Sequence, residues 1–157
     1  MVTGRIESRL ADKGIQLPEA AAPAANYVPY IVSDRLVFVS GQVTMENGEI
    51  RYRGKVGEDF TVAEAQQAAR LCALNLLSQL RAACGGDLDR VWRVVRLGGF
   101  VNSAAGFTEQ HVVINGASDL MVEVFGTAGR HARAAVGVSE LPFGVAVEVD
   151  GVFELTP

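Results

Sequence analysis

A single long helix, predicted in the middle of the chain, needs a sheet to cover its apolar side. Thr61 followed by Glu64 is a capping-box motif, and it predicts a helix over residues 62–84 that ends at Gly85-Gly86. Small and aliphatic side chains recur at helical spacing behind the cap, at Ala65, Ala69, Cys72, Leu76 and Leu80. We therefore expect this face of the helix to lie on a β-sheet.

The predicted strands lie on both sides of this helix. Residues 27–32 and 35–40 form a hairpin around Ser33-Asp34, and a second tight turn at Asn47-Gly48 breaks the segment 43–52. The other predicted elements are, in chain order, a short helix over 4–14, an extended connector, a strand over 91–102 interrupted at Gly98-Gly99, a helix over about 115–126, and strands over 132–140 and 145–155. Helices thus come after and between strands rather than in strict alternation. This order predicts an α+β fold with both main helices on one face of a mixed sheet.

The second face of that sheet has no predicted helix to cover it. The strands are nevertheless apolar at nearly consecutive positions, as in Val94-Val95 and Val145-Ala146-Val147. An apolar face of this size is unfavourable in water, so we expect another subunit to cover it.

Composition excludes several classes of function. The 157 residues are 49% apolar with a formal net charge of -4, which favours one folded domain and argues against a nucleic-acid surface. No run of about 18 apolar residues predicts a membrane span. Residues 1–13 carry charge throughout and lack the apolar core of a signal peptide, so we expect a cytoplasmic protein.

The two cysteines do not predict a disulfide or a metal site. Cys72 and Cys84 fall 12 positions apart in the predicted long helix, a separation of roughly 18 Å, which is too far for a bond within one helix. Without clustered Cys and His there is no metal-ligand spacing. We expect two buried free thiols.

Near the C-terminus, an arginine and a glutamate occur within segments of small and β-branched residues. Arg133 begins one predicted strand and Glu148 lies within the next. An ionised side chain in such surroundings is costly unless it is paired. A guanidinium beside a carboxylate in a mostly apolar cleft can bind an anionic substrate and activate a water molecule.

Several short segments together resemble a known family. They are Val28-Pro29-Tyr30, Val39-Ser40-Gly41-Gln42, Ala132-Arg133-Ala134-Ala135-Val136 with Leu141-Pro142, and Val147-Glu148-Val149. In this order and approximate spacing they are similar to the Rid family, the reactive intermediate deaminases that are also called YjgF or L-PSP proteins. The resemblance covers residues 27–155. It indicates a longer branch, with a helix and connector over 1–26 before a Rid-like domain over 27–157.

The resemblance carries expectations about fold and activity. It implies a chorismate-mutase-like fold assembled as a homotrimer with ligand clefts between subunits. It also implies hydrolysis of reactive enamines and imines, such as 2-aminoacrylate, to a 2-keto acid and ammonia. No metal or organic cofactor is implied. The expected ligand is a small carboxylate, with neither nucleic acid nor a membrane as partner.

Site residues follow from the same resemblance. Arg133 matches the family arginine that binds the substrate carboxylate. An arginine suits this role because its guanidinium fork binds a carboxylate with two parallel hydrogen bonds. Glu148 matches the glutamate that orients and deprotonates water. A structural ion pair is the alternative for Arg133. For Glu148 it is a carboxylate at the rim of the cleft, with Asp150 on the same strand face acting instead.

Further positions match the cleft lining. Tyr30 matches a tyrosine that reaches in from the adjacent subunit, and Ser40 and Gly41 match a loop that positions polar atoms of the ligand. The cysteine that is common two residues after the arginine is Ala135 here, whose backbone carbonyl is still able to hold water or the imine nitrogen. An asparagine on the second main helix corresponds to either Asn115 or Ser118, and the sequence does not decide between them.

Two histidines and the tryptophan are expected to have no role in the site. We expect His131 to be an exposed polar residue, His111 to lie in a loop, and Trp92 to belong to the core.

Two other functions compete with deamination. The same cleft would also serve a non-catalytic trimeric binding protein for small carboxylate metabolites. Ribonuclease activity, which has been attached to the family's name, is the least favoured because the acidic chain has no basic stripe and no convincing histidine pair.

Overall fold

The computed structural model describes residues 4–157 as one mixed sheet with helices on one face. The sheet strands are β1 (Tyr30–Ser33), β2 (Leu36–Gln42), β5 (Val91–Asn102), β6 (Ala132–Val138) and β7 (Val147–Leu155). Their order is β1-β2-β7-β5-β6, and all neighbours are antiparallel except β5 and β6. A small ribbon pairs β3 (Met45–Glu46) with β4 (Glu49–Ile50). The helices are α1 (Arg5–Asp12), α2 (Val62–Ala83) and α3 (Gln110–Phe125). Short 3-10 turns span Leu88–Arg90, Gly126–Gly129 and Pro142–Gly144.

The predicted start of the long helix is confirmed. The Thr61 N–H donates to Glu64 Oε2 at 2.8 Å, and Thr61 Oγ1 accepts from the Glu64 N–H at 3.2 Å. Every residue of the predicted apolar stripe is buried. Both cysteines are free and buried, and burial raises the pKa of the Cys72 thiol, which stays protonated.

The predicted turn at Asn47-Gly48 is confirmed, with φ 52° and 79° between β3 and β4. The predicted hairpin of β1 and β2 is present, but its turn is Asp34-Arg35 rather than Ser33-Asp34, because Ser33 is still paired with Leu36. Asp34 has φ 54°, and Asn, Asp and Gly adopt this left-handed conformation at the lowest cost.

Three predictions about the strands, the second main helix and the core were wrong. Strand β5 runs through Gly98 and Gly99 without a break, and the two glycines are explained by close packing, since a Cβ would collide with Asp150 at position 98 and with Ile114 at position 99. Helix α3 begins at Gln110 rather than near residue 115. Its N-cap residue, Glu109, makes no side-chain hydrogen bond to the first turn, so the sequence has no capping signal for this start. Trp92 is 56% exposed, because a register shift at the start of β5 turns Trp92 and Arg93 outward together.

Helix α1 is joined to the rest of the molecule at its first turn. Asp89 Oδ2 and Oδ1 accept the N–H groups of Arg5 and Ile6, both at 2.8 Å. Burial raises the Asp89 pKa, but these two hydrogen bonds and the nearby arginine charges outweigh it and hold the pKa below its ordinary value. Ile6 and Leu10 extend the main hydrophobic core. The division of the chain at residue 26 into an N-terminal segment and a domain over 27–157 stays a prediction.

The helices leave one sheet face open, as the sequence predicted. Along β7, Val147, Val149 and Phe153 are buried towards the helices, whereas the alternate residues are only half-buried. On the open face, Phe38 of β2 and Val136 of β6 are 45% and 47% exposed. Strand β6 is also an outer strand of the sheet. No helix within residues 4–157 combines the length and hydropathy needed to cross a membrane.

Candidate functional site

The two charged residues of the predicted site lie on opposite faces of the sheet. Arg133 is paired with Leu97, which is completely buried under the helices. Glu148 is paired with Phe100 and belongs to the open face. Strand β5 separates their two strands. The expectation of a guanidinium beside a carboxylate is therefore not met within one chain, and neither is an Arg133–Glu148 ion pair.

Arg133 is held by the first half of α3. Its Nη1 donates to Asn115 Oδ1 at 2.9 Å and to Ser118 Oγ at 3.1 Å, and its Nη2 donates to the His111 carbonyl at 2.9 Å. The sequence left Asn115 and Ser118 as alternatives, and the fold brings both to the same guanidinium because they lie one helical turn apart. The structure places His111 in the first turn of α3 rather than in a loop.

His131 extends this cluster. Its Nε2 lies 2.9 Å from Ser118 Oγ, and its Nδ1 lies 2.6 Å from the Gly129 carbonyl oxygen. A carbonyl only accepts, so Nδ1 carries a proton. His131 is half-buried, not exposed as predicted, and it positions the serine that contacts Arg133.

The guanidinium keeps capacity for a ligand. Of its five N–H donors, three are used by the contacts to α3, and no described residue accepts from the other two. Two donors suffice for the paired hydrogen bonds that bind a carboxylate. Ala135 lies on the same side of β6, opposite Gly99 and against the core.

Glu148 lies against the backbone of β2. An added Cβ at Gly41 would collide with the Glu148 carboxylate, so glycine at position 41 is what lets this side chain fit. Burial raises the pKa of Glu148, and the negative charge of Asp150 raises it further. Burial also raises the pKa of Asp150, which lies 3.9 Å from Arg96.

A cavity of about 310 Å³ opens beside Glu148 and Gly41. One wall is the strap, which we define as residues 18–29, the extended segment between α1 and β1. The opposite wall includes Met45, Phe143 and two polar residues of α2, Asn75 and Gln79.

The strap is attached by side chains of the folded domain. Ser78 Oγ donates to the Pro18 carbonyl and Gln79 Nε2 to the Ala21 carbonyl, both at 2.7 Å. Ser40 Oγ donates to the Val28 carbonyl at 2.8 Å. In a single chain the Ser40 hydroxyl thus fixes the strap, and its predicted contact with ligand stays a prediction.

Tyr30 does not line this cavity, and its side chain packs against the core. Tyr27, three residues earlier, lines the cavity and is 48% exposed. The predicted reach of Tyr30 into a neighbouring subunit's cleft stays a prediction.

Sequence reasoning missed the polar residues of α2 that face the strap. Asn75 and Gln79 are 5% and 2% exposed and, with Ser78, are the polar residues among the buried residues of α2. Amides inside an apolar helix face are the available signal, because a buried amide needs partners. Within residues 4–157, no group of three His, Cys, Asp or Glu side chains is arranged to hold a metal ion.

Comparison with known proteins places the chain among relatives of similar length. Residues 7–150 match the family described as "YjgF/chorismate_mutase-like, putative endoribonuclease". Protein TCP17 of Trypanosoma cruzi is 54% identical over 99% of this chain and 97% of its own length. The crystal structure of Atu1372 from Agrobacterium tumefaciens has a TM-score of 0.89 at 53% identity, covering 96% of this chain and 92% of that one. RidA from the Antarctic bacterium Psychrobacter sp. PAMC 21119 has a TM-score of 0.61 at 25% identity, covering 89% and 97%.

Proposed function

This chain belongs to the YjgF/chorismate mutase-like family, and on that premise we propose that it hydrolyses reactive 2-imino acids to 2-keto acids and ammonia. The observation that carries the proposal is the Arg133 guanidinium, which α3 holds in one orientation with two N–H donors available. A fixed guanidinium loses little freedom when it binds, which favours recognition of a carboxylate.

Glu148 is the proposed base. The substrate carboxylate binds Arg133, and Glu148 takes a proton from a water molecule whose oxygen attacks the C=N carbon. A backbone carbonyl near Ala135 holds the water or the imine nitrogen. The carbinolamine that forms then loses its C–N bond, the nitrogen leaves as ammonia with the transferred protons, and the oxygen stays as the ketone. Enamines enter the same route after they tautomerise to imines.

Assembly is part of this proposal, because the two charged residues lie on opposite faces of one sheet. A homotrimer would bring Arg133 of one subunit to Glu148 of the next. Supporting features are the uncovered sheet face, on which Phe38 and Val136 are exposed, and the outer strand β6, whose unpaired backbone groups and small side chains allow close approach of another chain. Tyr30 and Ser40, near the opposite edge of the sheet, then reach the shared cleft.

Arg133→Ala tests the function. Freshly generated 2-iminopropionate is mixed with the protein, and the release of ammonia and keto acid is followed. Loss of two charge-assisted hydrogen bonds, each contributing about 1.5–3 kcal/mol, predicts a fall in kcat/KM of roughly a hundredfold or more. Arg130→Ala, an exposed arginine three residues earlier, is the matched control and should retain the activity.

The outcome decides between enzyme and binding protein. An Arg133→Ala variant with full, saturable activity would overturn the assignment of Arg133. If the folded wild-type protein accelerates no imine hydrolysis but binds small keto acids stoichiometrically, the chain is a carboxylate-binding protein instead.

A further inference from the structure

The cavity beside Glu148 extends past the end of the sheet. Glu148 belongs to the open face, whereas Asn75 and Gln79, which line the same cavity, lie on α2 and therefore on the helix side. In the proposed reaction, Arg133 of the next subunit holds the substrate carboxylate and Glu148 activates water, so the reacting carbon lies at the Glu148 end. The space between the strap and α2 is then available to the remaining group of a 2-imino acid, which is its side chain.

The walls around this space are mostly apolar. The strap contributes its alanines and prolines, with Tyr27 near its end. The folded domain contributes aliphatic and aromatic side chains, namely those of Val43, Met45, Pro142 and Phe143. A substrate side chain that fills such a space is favoured by burial of its apolar surface, whereas a polar one loses its hydrogen bonds to water.

The buried amides of the lining hold these walls in place. They are Gln42, Asn75 and Gln79. Their nitrogens donate, in this order, to backbone carbonyls at Ser40 (3.0 Å), at Val43 and Met45 (3.1 and 2.9 Å), and at Ala21 (2.7 Å). The strap and the segment 43–45 are thus fixed before a ligand arrives. A wall that is already fixed discriminates between side chains by size, because it does not have to be ordered on binding.

Two aromatic side chains of the lining, Tyr27 and Phe143, are only half-buried. Phe143 also has φ 62° and ψ 7°, in the left-handed region that bulky residues rarely adopt. Such backbone strain persists only where the surrounding structure holds it, and it is concentrated at ligand sites. An apolar group bound between these two rings would remove part of their surface from water.

We propose that this cavity binds the side chain of the substrate and selects 2-imino acids whose side chain is branched aliphatic or aromatic. Tyr27 and Phe143 are the specificity-determining residues of this proposal, which rests on the proposed function. The volume of about 310 Å³ falls at the lower end of small-ligand pockets, and the methyl group of 2-iminopropionate would leave most of it unfilled. The negative charge of Glu148 disfavours acidic side chains.

A comparison of three imines with the wild-type protein tests the selection. The freshly generated imines of leucine, alanine and asparagine are assayed, and each kcat/KM is divided by the rate of uncatalysed hydrolysis of the same imine. A methylene group in a hydrophobic pocket contributes roughly 10–200-fold, so we expect the leucine imine to exceed the alanine imine by about tenfold or more. The asparagine imine, which has the shape of the leucine imine, should resemble that of alanine. Equal values for the leucine imine and either of the others would overturn the proposal.

Substitution of the two aromatic residues tests their assignment. Tyr27→Ala and Phe143→Ala should each lower the leucine-to-alanine ratio by about fivefold or more, mainly through a higher KM for the leucine imine. Val28→Ala is the matched control, because Val28 is an exposed residue of the strap that does not line the cavity. Its ratio should stay within about twofold of wild type. A ratio that neither aromatic variant changes would overturn their role in specificity.

The outcomes for this proposal and for the proposed function are distinguishable. A protein that hydrolyses the leucine and alanine imines equally well rejects only the selection. If no imine is hydrolysed, calorimetric titration with 4-methyl-2-oxopentanoate and pyruvate, the corresponding keto acids, tests the cavity directly. Binding of the larger keto acid about tenfold more tightly would support the cavity and reject only the deamination. Equal binding of both, or binding of neither, would reject the cavity as well.

Discussion

At the scale of single residues, the ionised carboxylate of Glu148 lowers the stability of the folded state. Glu148 is half-buried beside Asp150, and burial together with that neighbouring charge raises its pKa. A carboxyl whose pKa is higher in the folded state favours the folded state when protonated. Ionised Glu148 therefore destabilises the fold fully above its raised pKa, and the penalty disappears as pH falls below the unfolded-state pKa. Functional residues commonly carry such a cost.

The variant Glu148→Gln should consequently be more stable than wild type at neutral pH while losing the proposed activity. Thermal unfolding at several pH values checks this expectation. The Tm difference should be present at pH 7.5 and shrink as the pH is lowered towards the ordinary pKa of a glutamate. A stability gain that does not change with pH would show that charge is not its cause.

At the scale of elements, α2 and α3 approach closely because their contact contains small residues. Gly116 of α3 lies directly against the backbone of Gln66 in α2, where a Cβ would collide with the Gln66 carbonyl oxygen. The Gln66 side chain crosses to the Val112 carbonyl at 2.9 Å, and Arg70 pairs with Glu123 at 3.0 Å. Because α3 holds Arg133, this helix contact also sets the position of the guanidinium.

Gly116→Ala should lower the free energy of unfolding by about 1–3 kcal/mol, the usual cost of overpacking, even though alanine favours helix by up to about 1 kcal/mol. Urea unfolding followed by circular dichroism measures the change. Val122→Ala, an exposed position on the same helix, is the control and should stay within about 0.5 kcal/mol of wild type. A neutral or stabilising Gly116→Ala would contradict the close approach of the helices.

How far the sequence predicts these elements depends on whether the signal is local. The start of α2 was predictable because its signal, Thr61 followed by Glu64, lies within one helical turn. The Asn47-Gly48 turn was predictable because two adjacent residues specify it. The start of α3 was not, since Glu109 makes no cap. The Glu148–Gly41 contact was also out of reach, because it depends on the irregular pairing of β2 with β7 between Val39 and Gln42.

At the scale of the whole molecule, the residues of the proposed site form two separate groups in each copy. One is Arg133 with its α3 partners at the outer strand β6, and the other is Glu148 with Gly41 under the strap. The family motif indicated both residues, but only the strand register shows that one chain cannot bring them together.

Mixing two inactive variants tests whether subunits share the site. Arg133→Ala and Glu148→Gln are unfolded together, refolded in equal amounts and assayed for imine hydrolysis. If each site takes Arg133 from one subunit and Glu148 from the next, random assembly restores about a quarter of wild-type activity. Each variant refolded alone is the control. No recovery in mixed oligomers whose composition is verified by mass spectrometry would place the whole site within one chain.

The position of β7 determines when the chain can fold during synthesis. This strand lies between β2 and β5, so the two halves of the sheet stay unjoined until residues 147–155 are free to pair with both. Until then, the long edges of β2 and β5 are unpaired and able to pair with other nascent chains. Ribosome-bound fragments that end before residue 147 therefore present two separate half-sheets, each with a strand edge that β7 covers in the finished fold.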